Sequence, residues 1–370
     1  MANKQNSEAS SASLKDRLGA LWQVVSVPVA AVILALLIGA VILVISGANP
    51  FQAYAALLEG SFGSMSAFGR TLAKATPLIF SGLAVAFAFK AGLFNIGAQG
   101  QLLFGALASA AAGFAITGLS PFLHTTLALL IGATAGALFA YIPGALKAYT
   151  GAHEVITTIM LNYVAINITD YLADGPWKDT SSGNIVARTP EVLDSAKIPY
   201  IGEIPAGFFL AVLASLAIWW ILQRTTLGYE IRTVGLSPHA AKYAGMRVSF
   251  TIILTMVISG FLAGMGGAVE TLGIVGRYQP GFNAGLGFDG ITIALLGKTS
   301  PFGIIPAAIL IGAMKAGAST MQFNAGVAKE ITDVIQALML FFVTADMIVR
   351  KLIRSKAEGD EGVTLSGWGQ

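Results

Sequence analysis

The stretch KAGLFNIGAQGQLLFG, residues 90–105, sets the amides Asn95, Gln99 and Gln101 among four glycines, between two strongly apolar runs. Side-chain amides both donate and accept hydrogen bonds. Glycine eases the backbone out of helical form, and at membrane depth such a break survives only where protein or water satisfies the freed N–H and C=O groups. The stretch therefore reads as an interrupted helix beside a polar pathway. Amides bonding across closely packed helices are the alternative. A second polar set lies in HEVITTIMLNYVAINITDY, residues 153–171, where Thr158, Asn162, Ala165 and Thr169 follow at steps of four, three and four and so share one side of a helix. Such a face suits a neutral, hydroxyl-rich solute. Glu154 opens that helix, where the dipole favours a carboxylate, so a structural role explains it as well as a functional one. Glu270, Asp289 and Lys315 stand inside apolar segments, where ionisable groups face a cavity or a partner. The two carboxylates either line a path or pair with Lys315.

Other chemistry is not supported. GITIALLGKTS ends like a phosphate-binding loop, but the required earlier glycine is replaced by Thr292. His124, His153 and His239 are scattered, and the chain has no cysteine, so neither a zinc spacing nor a nucleophilic site can be assembled.

The elements that must position these residues are membrane spans. The chain is 55% hydrophobic and 11% charged, with a mean hydropathy of +0.74, well below the charge of a soluble domain. Apolar segments of about 20 residues match a ~30 Å hydrocarbon core. They fall at 27–47, 71–90, 95–117, 123–146, 154–173, 206–223, 250–274, 285–298, 301–320 and 330–349. The expected fold is an all-α polytopic membrane protein of about ten transmembrane helices, some interrupted near a central path. Residues 1–26 form a polar cytoplasmic tail, 27–350 the transmembrane domain and 351–370 a second cytoplasmic tail. The N-terminus partly resembles a signal peptide, but its apolar run is long for one, and an uncleaved first helix is expected.

With both termini inside, about twice as many Lys and Arg fall on the cytoplasmic side as outside, in keeping with the positive-inside rule. That rule, rather than nucleic-acid binding, accounts for the net charge of +3. AGLFNIG at 91–97 is echoed by AGLGFDG at 284–290, and the surrounding blocks 71–173 and 250–349 would each hold four spans of opposite orientation, as in an inverted repeat. Two connections are long. Residues 174–205 land outside and 224–249 inside. The inner one contains SPHAAKYAGM, with Ser237 as N-cap, Pro238 at the first helical position and Gly245 as a stop. It reads as a short cytoplasmic helix, either simply solvated or docked on a partner beneath the membrane.

Five ordered motifs, GLFNIGAQGQ (92–101), GAHEVITTIMLNY (151–163), RTVGLSPHAAKYAGM (232–246), GGAVETLG (266–273) and GFDGITIALLGK (287–298), resemble the permease subunits of bacterial ATP-binding-cassette importers of the branched-chain amino acid and ribose class. Within that class they look closest to nucleoside and simple-sugar permeases, over about residues 27–350. The resemblance implies a multi-pass protein of the bacterial cell membrane working with a cytoplasmic ABC ATPase, a second related permease and an extracytoplasmic substrate-binding protein or lipoprotein. ATP and Mg would sit on the ATPase and no cofactor on this chain. The coupling segment of the family maps onto 232–246, with Arg232 and Gly245 among its residues: Gly235 and Pro238 would shape the turn, and Ala240, Ala241, Tyr243 and Ala244 would dock on the ATPase. Asn95, Gln99, Gln101, Thr158, Asn162, Glu270, Phe288 and Asp289 would line the path of a nucleoside or sugar, and loop 174–205 would meet the binding protein. The rival reading is an ion-coupled secondary transporter in which Glu270, Asp289 and Lys315 carry the ion.

Overall fold

A computed structural model describes residues 14–181, 184–281 and 285–345. The C-terminal tail, most of the N-terminal tail and the first residue of the 284–290 echo lie outside the described residues. The chain runs α1 (Leu14–Ile45), α2 (Pro50–Phe62), α3 (Met65–Lys90), α4 (Ala98–Ala115), α5 (Pro121–Thr150), α6 (Glu154–Asp174), a short hairpin of β1 (Tyr200–Ile201) and β2 (Ile204–Pro205), then α7 (Ala206–Arg224), α8 (Thr226–Leu236), α9 (Pro238–Tyr243), α10 (Val248–Glu270), α11 (Leu286–Leu296), α12 (Pro301–Ala325) and α13 (Glu330–Thr344). Each predicted apolar segment coincides with a helix. Seven helical stretches among the described residues are long and apolar enough to cross a bilayer, in α1, α3, α5, α6, α7, α10 and α12. α4, α11 and the described part of α13 are shorter, 18, 11 and 15 residues. The chain is thus an all-α polytopic membrane protein. α2 was not anticipated: Asn49 caps it, its Oδ1 accepting from the Phe51 N–H at 3.0 Å, and Pro50 takes the first turn.

α3 is the central helix. Almost all of its apolar window is buried, as expected of a helix apolar all round. α10 lies beside it and packs closely on α5. A Cβ added at Gly136 would stand 2.4 Å from the Gly260 carbonyl oxygen, and one at Gly264 2.7 Å from that of Gly132. Small residues at i, i+4 on both helices thus bring the backbones together, the usual route to helix association in lipid. The packing of the two halves is reciprocal. α3 lies against α11 and α12, while α10 lies against α4 and α5. This is the arrangement expected if 71–173 and 250–349 are related units.

α10 ends in a five-residue π-helical segment, Thr271–Val275, closed by Gly276 at φ +76°. The outer connection is tied along this segment: the N–H groups of Thr189, Val192 and Ile198 donate to the carbonyls of Tyr278, Gly276 and Leu272 at 2.9, 2.9 and 3.0 Å. Arg277 and Lys197 add ion pairs to Glu191 at 2.9 and 3.0 Å, and Lys197 also pairs with Asp194 at 2.8 Å. The hydrogen bond from Lys197, and then its charge, hold the Asp194 and Glu191 carboxyls below their ordinary range.

Candidate functional site

α3 stops at Lys90, and residues 91–97 turn back into the protein before α4 begins at Ala98. Gly92, at φ +69°, makes the reversal. Asn95 is completely buried at its end. Its Nδ2 donates to Gln101 Oε1 and to Ser259 Oγ, both at 2.8 Å, while Gln101 Nε2 donates back to Asn95 Oδ1 at 3.1 Å. Ser259 Oγ in turn donates to the Ala84 carbonyl at 2.6 Å. Ser259 lies eleven residues into α10, about 16 Å along its axis. The amide cluster therefore sits halfway along α10.

The remaining amides satisfy helix starts. Asn162 on α6 accepts the Gly100 N–H at 2.8 Å and donates to the Ile96 carbonyl at 3.0 Å. Gln99 Oε1 accepts the Gly287 N–H at 2.8 Å. Since Gly287 is the second residue of α11 and Gln99 the second of α4, two helix N-termini meet inside the protein. A Cβ at Gly287 would lie 2.3 Å from Gln99 Cα, so only glycine permits the approach.

Thr158, Asn162, Ala165 and Thr169 do share one face of α6, and that face is buried against α4. The Thr158 hydroxyl donates to the Glu154 carbonyl at 2.7 Å, and Thr169 accepts from the Tyr278 hydroxyl at 2.9 Å. Of the two readings of the amides, their geometry in this chain is that of bonding across helices. Asn95, Gln99, Gln101, Thr158 and Asn162 are all buried. The first-turn Glu154 pairs with Lys147 at 2.9 Å.

The ionisable residues separate. Asp289 pairs with Lys315 at 3.0 Å and accepts from the Gln336 amide. Glu270 does not reach Lys315. It is buried at the end of α10, 3.8 Å from Lys74 on α3. Phe288, beside Asp289, is 44% exposed.

The inner connection folds as its residues suggest. Ser237 Oγ caps α9 by accepting the Ala240 N–H at 3.2 Å, Pro238 follows, and Gly245 closes it at φ +82°. Arg232 lies along α8, its Nε donating to the Gly228 carbonyl at 3.3 Å. Two expectations change. Ala241 is fully buried beneath α9 and cannot touch a partner in this conformation, whereas Ala240, Tyr243 and Ala244, at i, i+3 and i+4, are exposed. Gly235 does not shape the turn but lies within α8, pressed on the end of α3: a Cβ there would stand 2.3 Å from the Lys90 carbonyl oxygen and 3.0 Å from the Gly92 nitrogen. Leu236, 78% exposed at the end of α8, adds to the exposed residues of this connection and escapes a sequence reading, because its neighbours give no reason to leave a leucine uncovered.

Residues 67–344 match the family described as "Branched-chain amino acid transport system / permease component". The chain is 41% identical to the guanosine ABC transporter permease protein NupP of Bacillus subtilis, over 88% of this chain and 94% of that one. It is 35% identical to the nucleoside ABC transporter permease protein NupB of Lactococcus lactis, over 89% and 93% of the two chains. With the glucose ABC transporter permease protein TsgB13 of Haloferax volcanii it shares 34% identity, over 89% and 90%. Spans broken where two helix starts meet, with α8 of the 224–249 connection packed against one break, thus occur in a chain that belongs to the branched-chain amino acid transport system permease family.

Proposed function

We propose that this chain is the membrane-spanning permease subunit of an ATP-driven importer of nucleosides or related sugars. Its relatives carry those substrates in their names. The observation that carries the reading furthest is the contact between Gly235 of the inner connection and the Lys90–Gly92 turn. It joins the surface offered to a partner directly to the broken helix and the Asn95 cluster. ATP and Mg would bind on a cytoplasmic ATPase, and docking through Leu236, Ala240, Tyr243 and Ala244 would transmit its closure. The path would run past the 92–101, 158–169 and 266–290 regions, with Phe288 and Asp289 at its edge, and with both termini cytoplasmic. A second permease would complete it, and a binding protein would deliver solute at loop 174–205. ATP can drive the reorientation only through different affinities for its two states.

The test is uptake of a labelled purine nucleoside by cells with and without the chain, under ATP depletion and, separately, under collapse of the ion gradients. Uptake that needs the chain and ATP, and an ATPase recovered with it from mild-detergent membranes, is the expected result. Uptake that survives ATP depletion but fails with the ion gradient would instead establish the ion-coupled reading.

A further inference from the structure

The membrane-length helices least covered by the rest of the chain are α1, α6 and α7, with 22%, 22% and 28% of their apolar windows buried. A helix so uncovered must be strongly apolar if lipid surrounds it. α1 and α7 meet that demand, with window hydropathies of 3.1 and 1.9 and uncovered faces built from residues such as Ile33, Leu37 and Val41, or Leu213, Leu216 and Trp220. α6 does not. Its value, 1.2, is the lowest of the seven. Thr158, Asn162 and Thr169, on the buried side, account for part of that low value, and the uncovered side also carries Ile156, Met160, Val164 and Ile168.

The uncovered side has a polar ladder of its own. Tyr163, Asn167 and Tyr171 follow at i, i+4 and i+8, with Asp170 beside them. The two tyrosines are 62% and 69% exposed. Asn167 Nδ2 donates to the Tyr163 carbonyl at 2.7 Å, which leaves its Oδ1 and a second N–H for an outside partner. Asp170 has no ion-pair partner among the described residues. The ladder is about 12 Å long, and Asn167 stands about 10 Å from the Asp174 end of the helix, well inside the hydrocarbon region. An amide facing lipid there is disfavoured, and so, one turn from the helix end, is an unpaired carboxylate.

We infer that Tyr163, Asn167, Asp170 and Tyr171 face the water-filled transport path and recognise the solute. The chemistry suits a planar heterocycle attached to a polyhydroxylated ring. The tyrosine rings stack on the heterocycle, Asn167 pairs with a donor–acceptor edge, and Asp170 accepts from hydroxyls. The nucleoside identity of that solute rests on the function proposed above, but the exposure of the strip to water does not.

The absence of cysteine from the chain makes the test direct. Asn167→Cys and, as a lipid-facing control, Leu213→Cys are introduced separately into the assembled transporter in membrane vesicles. Each is treated with a membrane-impermeant methanethiosulfonate, and labelling of this chain is read by mass. Asn167→Cys is expected to react much faster than Leu213→Cys and to be protected by a purine nucleoside. Labelling as slow as the control overturns the inference, whether lipid or a dry contact with a second chain covers the face. Rapid labelling that no solute slows overturns the recognition role. Protection by ribose or glucose but not by a nucleoside upholds the strip and refutes the nucleoside assignment. In parallel, Tyr163→Leu should raise the half-saturating nucleoside concentration on the order of tenfold, the loss of one stacked ring, at unchanged membrane level. An unchanged concentration counts against stacking.

Discussion

Both amide protons of Asn95 are engaged, one by Gln101 and one by Ser259, and the side chain is completely buried. Asn95→Leu strands the Gln101 amide, at about 1–3 kcal/mol for an unsatisfied buried group, while Ser259 keeps its bond to the Ala84 carbonyl; hydrogen bonds between membrane helices average only ~0.6 kcal/mol. The variant should therefore lower the unfolding temperature of the purified transporter more than Ser259→Ala does, and the pair together should cost less than the sum. Strict additivity would show that the two side chains do not interact. The Asp289–Lys315 pair gives a second case. Lys315→Met leaves a half-sheltered carboxylate uncompensated and should reduce folded protein, while adding Asp289→Asn should restore part of it. A double variant worse than either single one would contradict the pairing. That the amides matter was legible from Asn, Gln and Gly crowded into an oily stretch. Their destination was not, since Ser259 is a single hydroxyl 164 residues away in an apolar run that offers no periodic cue.

At the scale of elements, α9 could be read from its residues because a Ser-Pro start and a Gly stop are local signals. The neighbouring α8 could not be placed so well, as Gly235 looks like turn chemistry and is in fact a packing surface against the end of α3. Gly235→Ala is expected to push α8 off that turn, leaving the protein in the membrane and its partner's ATPase active, but lowering uptake per ATP hydrolysed. Normal uptake by this variant would show that motion does not pass through the contact. α2 escaped notice for a different reason. Its 13 residues mix Gln, Glu and Tyr with apolar positions, so a search for spans passes over it, although Asn49-Pro50 is a sound helix start. α6 shows the limit of a face argument. Spacing correctly grouped Thr158, Asn162, Ala165 and Thr169, but only packing could tell that the group turns toward α4.

For the whole molecule, the outer connection ties the end of α6 to the π-helical end of α10, so its stability should follow the Lys197 cluster. The Asp194 and Glu191 carboxyls are held below their ordinary range. Such a shift stabilises the folded loop at pH above the unfolded value, and the gain is lost as pH falls through the lower, folded value. Protection of the Thr189, Val192 and Ile198 amides against hydrogen exchange should hence hold from neutrality down to the usual carboxylate range and weaken as pH falls from there through the lower, folded values. The change should be small, as these ion pairs are exposed. Earlier weakening would mean that the pairs do not hold the loop. Overall helical content and span positions were readable from hydropathy, whereas the reciprocal packing of the halves depends on contacts that a seven-residue echo merely hints at.

The meeting of the α4 and α11 starts bears on a hazard of every import route in an energised membrane, the leak of protons and cations. Each helix start carries about half an elementary positive charge. Brought together at Gln99 and Gly287, they add a positive potential inside the protein that comes from the backbone, offset in part by Asp289 in the first turn of α11. On the path proposed above, a proton or sodium ion drawn inward by the membrane voltage would meet this potential as a barrier. An uncharged solute would pass without that penalty.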